Sequence, residues 1–241
     1  MLLQPNSNEI RNTSSSSIDK ECEARFAEFC SDPDQMAEKI LGLLNQKSAI
    51  GNILKTSYVH PNGFYKIPLI QFDQFGPKIR LHLWCPSKIM PSSPFCNIHS
   101  HHWDFESAVL LGFLRHRVFF EQSMFRNGMP YVKYKLCRES DDGHSLSLVG
   151  STLLGVERED LLEPGARYSL KAYQLHQLEP LALDRFTVTL VHQRRHTEAS
   201  NHVFHPVGST PDESSSQPRR VTQSEFSEVL DQLVSTKFRQ Q

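Results

Sequence analysis

From residue 57 to residue 192 the chain is a succession of short apolar or alternating segments cut by turn signals, with no helical period between them. The turns are Pro61-Asn62-Gly63, Gly76-Pro77, Asn127-Gly128, Asp141-Asp142-Gly143, Glu163-Pro164-Gly165 and Asp184-Arg185, each built from residues that preset a turn or tolerate one. Between them lie residues 64–72, 78–84, 108–120, 131–136, 145–155, 168–170 and 186–192, most of them rich in Val, Ile, Leu, Phe and Tyr. Short strands at this spacing build an antiparallel sandwich or barrel, and the lack of βαβ alternation argues against a parallel α/β fold. Pro68 cannot donate to a strand ladder, so residues 64–72 read as an edge strand. Gly112 marks a bend or bulge inside the long segment 108–120.

Helical patterns flank this β region. Ile18, Cys22, Ala24, Phe26, Ala27 and Phe29 have roughly helical spacing, and Asp32-Pro33-Asp34 starts a second helix over 33–46. Phe226, Val229, Leu230, Leu233 and Val234 form the stripe of a last helix over 221–238, capped by Thr222 or Ser224. The expected division is a disordered tail over 1–17, helices over 18–56 and a barrel over 57–205. A linker over 206–220 and a terminal helix over 221–241 complete it. Exposed sheet edges leave a homodimer as one way of covering them.

A net charge of −1 gives no field favouring nucleic acid or an anionic membrane. Five scattered cysteines with no CxxC pair fit free thiols in a reducing compartment. The N-terminus lacks a basic stretch followed by an apolar one, and no apolar run is long enough to span a membrane. The expectation is a cytoplasmic protein acting on a small molecule.

Its chemistry centres on residues 97–106, where three of the twelve histidines fall within four positions. On a strand, residues two apart share a face. His99 and His101 therefore present two imidazoles to one cavity, and His102 points the other way. Neutral imidazole is a common ligand for divalent metals. At least one more ligand must come from elsewhere. His192, on the segment 186–192, is one histidine candidate and Glu106 an acidic one, although Glu106 breaks the parity of the pair. Asp104 is better placed as a hydrogen-bond partner to a ligand or as a turn acceptor than as a ligand itself. Arg80, His82 and Trp84 form a mixed stripe opposite Ile79, Leu81 and Leu83. If that stripe faces the cavity, Arg80 is a natural clamp for a substrate carboxylate. His116 shares a face with Leu114, Val118 and Phe120, which favours an inward position near the metal.

His99-x-His101, four residues, Glu106 and then Gly112 resembles the first motif of the cupin superfamily: Gly, five residues, His-x-His, three or four residues, Glu, six residues, Gly. Ser93 stands where the leading Gly is expected, and Gly112 falls one residue early. Of the second motif, Pro-x-Gly-x-x-His with a later Asn, only the histidine has a counterpart, His176; Tyr173 stands at the Gly position and Pro180 at the Asn position. The resemblance covers roughly residues 60–195 and implies a mainly β fold, a jelly-roll barrel of two antiparallel sheets holding one divalent metal. The segment is also similar to cysteine-dioxygenase-like cupins, in which three histidines hold ferrous iron without an acidic ligand. Fe(II) is thus the favoured metal, with Zn(II), Mn(II) or Ni(II) as others that this donor set suits. The implied activity is a non-haem iron oxygenase using dioxygen on a small polar substrate. A metal-dependent isomerase, lyase or hydrolase is the alternative, and a non-catalytic binding module the third reading.

Overall fold

A computed structural model of the protein describes residues 15–32, 38, 40, 42, 47–71, 76–86, 98–122, 128–138, 144–182, 184–197, 200–209 and 219–238. The expected loop with Pro91 and Pro94, Cys96, the Asp141-Asp142-Gly143 turn and most of the 206–220 linker lie outside them. Of the helix expected over 33–46, Glu38, Ile40 and Gly42 are described, and all three are helical.

Two helices come first, α1 (Ser15–Cys30) and α2 (Lys47–Thr56). Ser15 already belongs to α1, so the serine run partly opens a helix instead of closing a tail; serine suits helix starts. The strands follow as β1 (Tyr58–His60), β2 (Phe64–Gln71), β3 (Lys78–Trp84), β4 (Ile98–His99), β5 (Trp103–Leu111), β6 (Leu114–Gln122) and β7 (Met129–Arg138). Next are β8 (His144–Leu162), β9 (Arg167–Leu170), β10 (Leu175–Pro180), β11 (Thr187–His196), β12 (His202–Pro206) and β13 (Arg219–Arg220), with α3 (Gln223–Phe238) last. The fold is mainly β, with two antiparallel sheets and helices toward both ends of the chain. One sheet runs β13-β1-β2-β3-β11-β5-β9, and the other, β10-β4-β12-β7-β8-β6, closes on itself. No helix among the described residues is long and apolar enough to cross a membrane.

β2 lies between β1 and β3 in the sheet, so the edge strand expected for residues 64–72 is an internal one, and Pro68 is accommodated because its β1 side is unpaired. β1 reaches only to Lys66, so Pro68 pairs with Arg80 on the β3 side alone. Gly112 does more than bend a strand. It turns the chain from β5 in one sheet to β6 in the other, at φ 74°. A Cβ there would sit 2.5 Å from the Phe186 carbonyl oxygen, so only glycine fits the turn.

Both faces of the first sheet are covered. Ile79, Leu81, Leu83, Val188 and Leu190 share one core with Cys22 and Phe26 of α1, Ile53 of α2, and Phe226 and Leu230 of α3. The opposite face carries Phe64, Trp84, Phe105, Val109 and Val191, packed with Leu114, Val118 and Leu162 of the second sheet. The helices thus claim the aliphatic face of β3, and its polar stripe turns inward between the sheets.

The last helix is pinned by a charge network. Thr222 Oγ1 accepts the Glu225 N–H at 3.3 Å, the N-cap bond anticipated for Thr222. The Glu225 carboxylate accepts the Tyr65 hydroxyl at 2.8 Å and two Arg219 N–H groups at 2.7 and 2.8 Å. Arg219 above all, with Tyr65, draws the Glu225 carboxyl down to about 2. A depressed folded value contributes stability that is complete above the unfolded value, about 4.3, and is lost as pH falls through the folded one. The unfolding free energy of the wild type, from urea titrations, should therefore drop between about pH 4.5 and 2 by roughly 1–3 kcal/mol more than that of Glu225→Gln. Parallel curves through that window would show that the network does not stabilise the fold.

Candidate metal centre

His99 ends β4 and lies directly opposite His176 of β10 in the antiparallel register. Directly opposed residues project side by side on one face. Beyond β4, Ser100 is held at both ends: its N–H donates to His202 O at 2.9 Å, and its Oγ accepts the His202 N–H at 3.0 Å. The next N–H, of His101, donates to Ala172 O at 2.9 Å. His101 thereby returns to the face of His99, as a period of two requires. Asp104 braces the same turn from below, accepting the Ala172 N–H at 2.9 Å and Lys171 Nζ at 2.8 Å. It is a turn acceptor, and the turn it holds leads into His176.

The three imidazoles converge. Ring centroids lie 4.7 Å apart for His99 and His101, 4.7 Å for His99 and His176, and 5.1 Å for His101 and His176. One nitrogen from each ring lies within 4.8 Å of the other two. His101 Nε2 and His176 Nε2 face each other at 3.0 Å. Two nitrogens about 2.1 Å from one ion and at right angles are about 3.0 Å apart, so this spacing suits adjacent ligands. Burial, then the neighbouring His99 and His176, hold His101 well below the ordinary imidazole range. Burial, then His99 and His116, do the same for His176. Both rings are therefore neutral near pH 7, the form that donates a lone pair to a metal.

The other candidates separate cleanly. Glu106 does not join the cluster. Phe105 and Val109 of β5 face the second sheet, while Ala108 faces the helices. Glu106 has the parity of Ala108, and its carboxylate pairs with Arg167. Between Trp103 and Glu106 the extra residue of the register shift lies in β11, between Gln193 and His196, and the shift in β5 comes only beyond Glu106, between Val109 and Leu111. His192, the other third-histidine candidate, is buried on the helix side and packs on Phe26 of α1 at 5.4 Å. His116 is fully buried, 5.6 Å from the His176 ring and 4.6 Å from that of Tyr168. Burial first, then Arg158, pulls it down to about 4. It stands behind His176 and outside the three-nitrogen cluster. Arg115 and Arg117 pair with Glu159 and Glu179 at the surface.

The histidines open into a pocket of about 500 Å³, counted out to solvent. Its lining includes Arg80, His82 and Trp84, so the mixed stripe of β3 faces the cavity. Lys66, opposite His82 in register, lines it too and was not singled out in the sequence. Its signal was available only jointly: Lys66 and Arg80 fall on one face once β2 and β3 are paired, and nothing local fixes that pairing. Tyr168 also lines the pocket, its phenol pushed up by burial.

No protein-family model matches the chain, and no curated protein matches it. Among solved structures it is similar, at 15% identity, to a hydroquinone 1,2-dioxygenase in complex with Cd2+ and 4-hydroxybenzonitrile, over 51% of this chain and 60% of that one, with a TM-score of 0.28. At 14% identity it is similar to the DMSP lyase DddQ from Ruegeria pomeroyi DSS-3, over 58% and 50%, with a TM-score of 0.32. At 13% it is similar to Cellulomonas parahominis L-ribose isomerase with L-ribose, over 68% and 72%, with a TM-score of 0.29. The chain thus spans only 60% and 50% of the length of the first two. At these scores the likenesses carry no functional argument.

Proposed function

We propose that this cupin-like barrel is a metal-dependent enzyme, a non-haem iron oxygenase acting on a small polar substrate, with the ion held by His99, His101 and His176. The observation that carries the reading is the convergence of three imidazole nitrogens within 4.8 Å of one another on a pocket wall. Three nitrogen donors without a carboxylate suit Fe(II), and also Zn(II), Mn(II) or Ni(II). When bound, a redox-active ion held by these three residues would supply the chemistry of dioxygen activation.

The chain's own residues bind and position. β4, β10 and the Ala172 turn fix the imidazoles before any ligand arrives, so little reorganisation remains. The apolar lining from Phe64, Phe105, Leu178 and Val191 excludes water and strengthens polar contacts inside. Arg80 is held with one N–H on His82 Nε2 at 3.1 Å and another on Gln193 Oε1, aimed along the pocket wall to orient a substrate.

Metal analysis of protein purified without added metal tests this, followed by oxygen-electrode assays of the Fe(II)-loaded enzyme with a panel of small carboxylic acids. Stoichiometric iron and substrate-dependent oxygen uptake are expected. Tight zinc that iron cannot replace, with no oxygen uptake, would move the reading to Lewis-acid isomerase, lyase or hydrolase chemistry. Absence of any bound metal would leave a binding module.

A further inference from the structure

The pocket wall beyond the imidazoles is cationic. Lys66 and Arg80 line it with His60 and His82, and among the described residues no aspartate or glutamate lines it. Arg80 is 5% exposed. Its two acceptors, His82 Nε2 at 3.1 Å and Gln193 Oε1, are both neutral. They orient the guanidinium without balancing its charge and use two of the five N–H donors that arginine carries. Burial first, then the neighbouring Arg80 and Lys78, holds Lys66 well below the ordinary lysine range, so an anion beside it would favour its charged form. Lys66 Nζ lies 5.3 Å from the Tyr58 ring centroid and 5.9 Å from that of Trp103, and Arg80 Cζ lies 5.4 Å from the same Trp103 ring. Two basic side chains therefore meet at one indole, and no aspartate or glutamate among the described residues lines the pocket with them. Buried charge without a partner is unfavourable, and an entering anion relieves it. A divalent ion on three imidazoles would add to the positive charge.

We infer that this wall is the subsite for a doubly charged organic acid, a dicarboxylate, with one carboxylate between Lys66 and Arg80. Guanidinium matches a planar carboxylate with a planar fork. The apolar remainder of the lining suits a short carbon skeleton better than a compact inorganic anion. The inference deepens the metal-enzyme reading and rests on it for the ligand's second end, which faces the three histidines. The cationic wall itself does not depend on a metal.

Succinate and glutarate are titrated against butyrate, a singly charged acid of similar length. The full chain is used twice, metal-free after chelation and with stoichiometric Zn(II). Calorimetry and tryptophan emission report binding, because Trp103 is one of only two tryptophans. At least one diacid should bind about tenfold or more tighter than butyrate, and Lys66→Gln and Arg80→Gln should each weaken it by about tenfold or more. Lys66→Arg should restore most of that loss while the zinc affinity of all three variants stays within about threefold of wild type. Equal binding of butyrate, unchanged diacid binding in the glutamine variants, or no diacid binding at all overturns the inference. His99→Ala with His101→Ala separates the two readings. Loss of zinc with diacid binding retained by the metal-free protein keeps the subsite and removes nothing from it. Diacid binding that requires zinc and ignores Lys66 and Arg80 places the anion on the metal and overturns the subsite.

Discussion

Replacing His99 and His101 together by alanine takes metal binding from stoichiometric to undetectable and leaves the barrel folded. Two of three nitrogen donors disappear, and a lone buried imidazole at His176 cannot hold a divalent ion against buffer and chelator. Folding survives because the flanking backbone is held independently. Ser100 is tied to His202, and the His101 N–H to Ala172 O, through main-chain and serine bonds that alanine keeps. Thermal melts give a second readout. At about a hundred times its Kd, a metal that binds only the folded state adds about 2.7 kcal/mol, or roughly 5–10 °C for a chain of this size. The wild type should show that shift on adding Zn(II), and the double variant none. Metal retained at one equivalent in the double variant would remove the site.

Phe226→Ala should destabilise the protein by about 3–5 kcal/mol, the range for truncating a buried phenylalanine. That is a large part of the roughly 5–15 kcal/mol available to a domain. Phe226 is 1% exposed and belongs to the core made by α1, α2, α3 and the aliphatic face of the first sheet. The change removes contacts on both sides of that core. Urea unfolding measures the loss, and metal content provides the control. The phenylalanine packs on the face away from the imidazoles, so the folded variant keeps its metal. A loss under about 1 kcal/mol would mean that α3 is peripheral to the fold's stability.

The helix stripe was legible because Phe226, Val229, Leu230 and Leu233 recur at a spacing that only a helix brings to one side, and all four are buried. Pairing of His99 with His101 was legible for the matching reason on an extended chain. The role of Gly112 was legible only in part. A glycine inside an apolar segment announces a break, but not that its two sides belong to different sheets. Lys66 stayed hidden because its meaning comes from Arg80, fourteen residues on and across a strand pair.

What the sequence determined by itself was parity and class. Turn spacing and short β segments dictate an antiparallel, mainly β fold, and a period of two puts Arg80 with His82, His192 with Leu190, and Glu106 opposite Phe105. What only the tertiary structure decided was the sign of each face. A strand's alternation says which residues point together, never which side is the cavity, because that depends on what covers the sheet. Here the helices cover the aliphatic face. His192 and Glu106 go with it, Arg80 and Lys66 turn inward, and His176 comes opposite His99 through a pairing that no local pattern encodes.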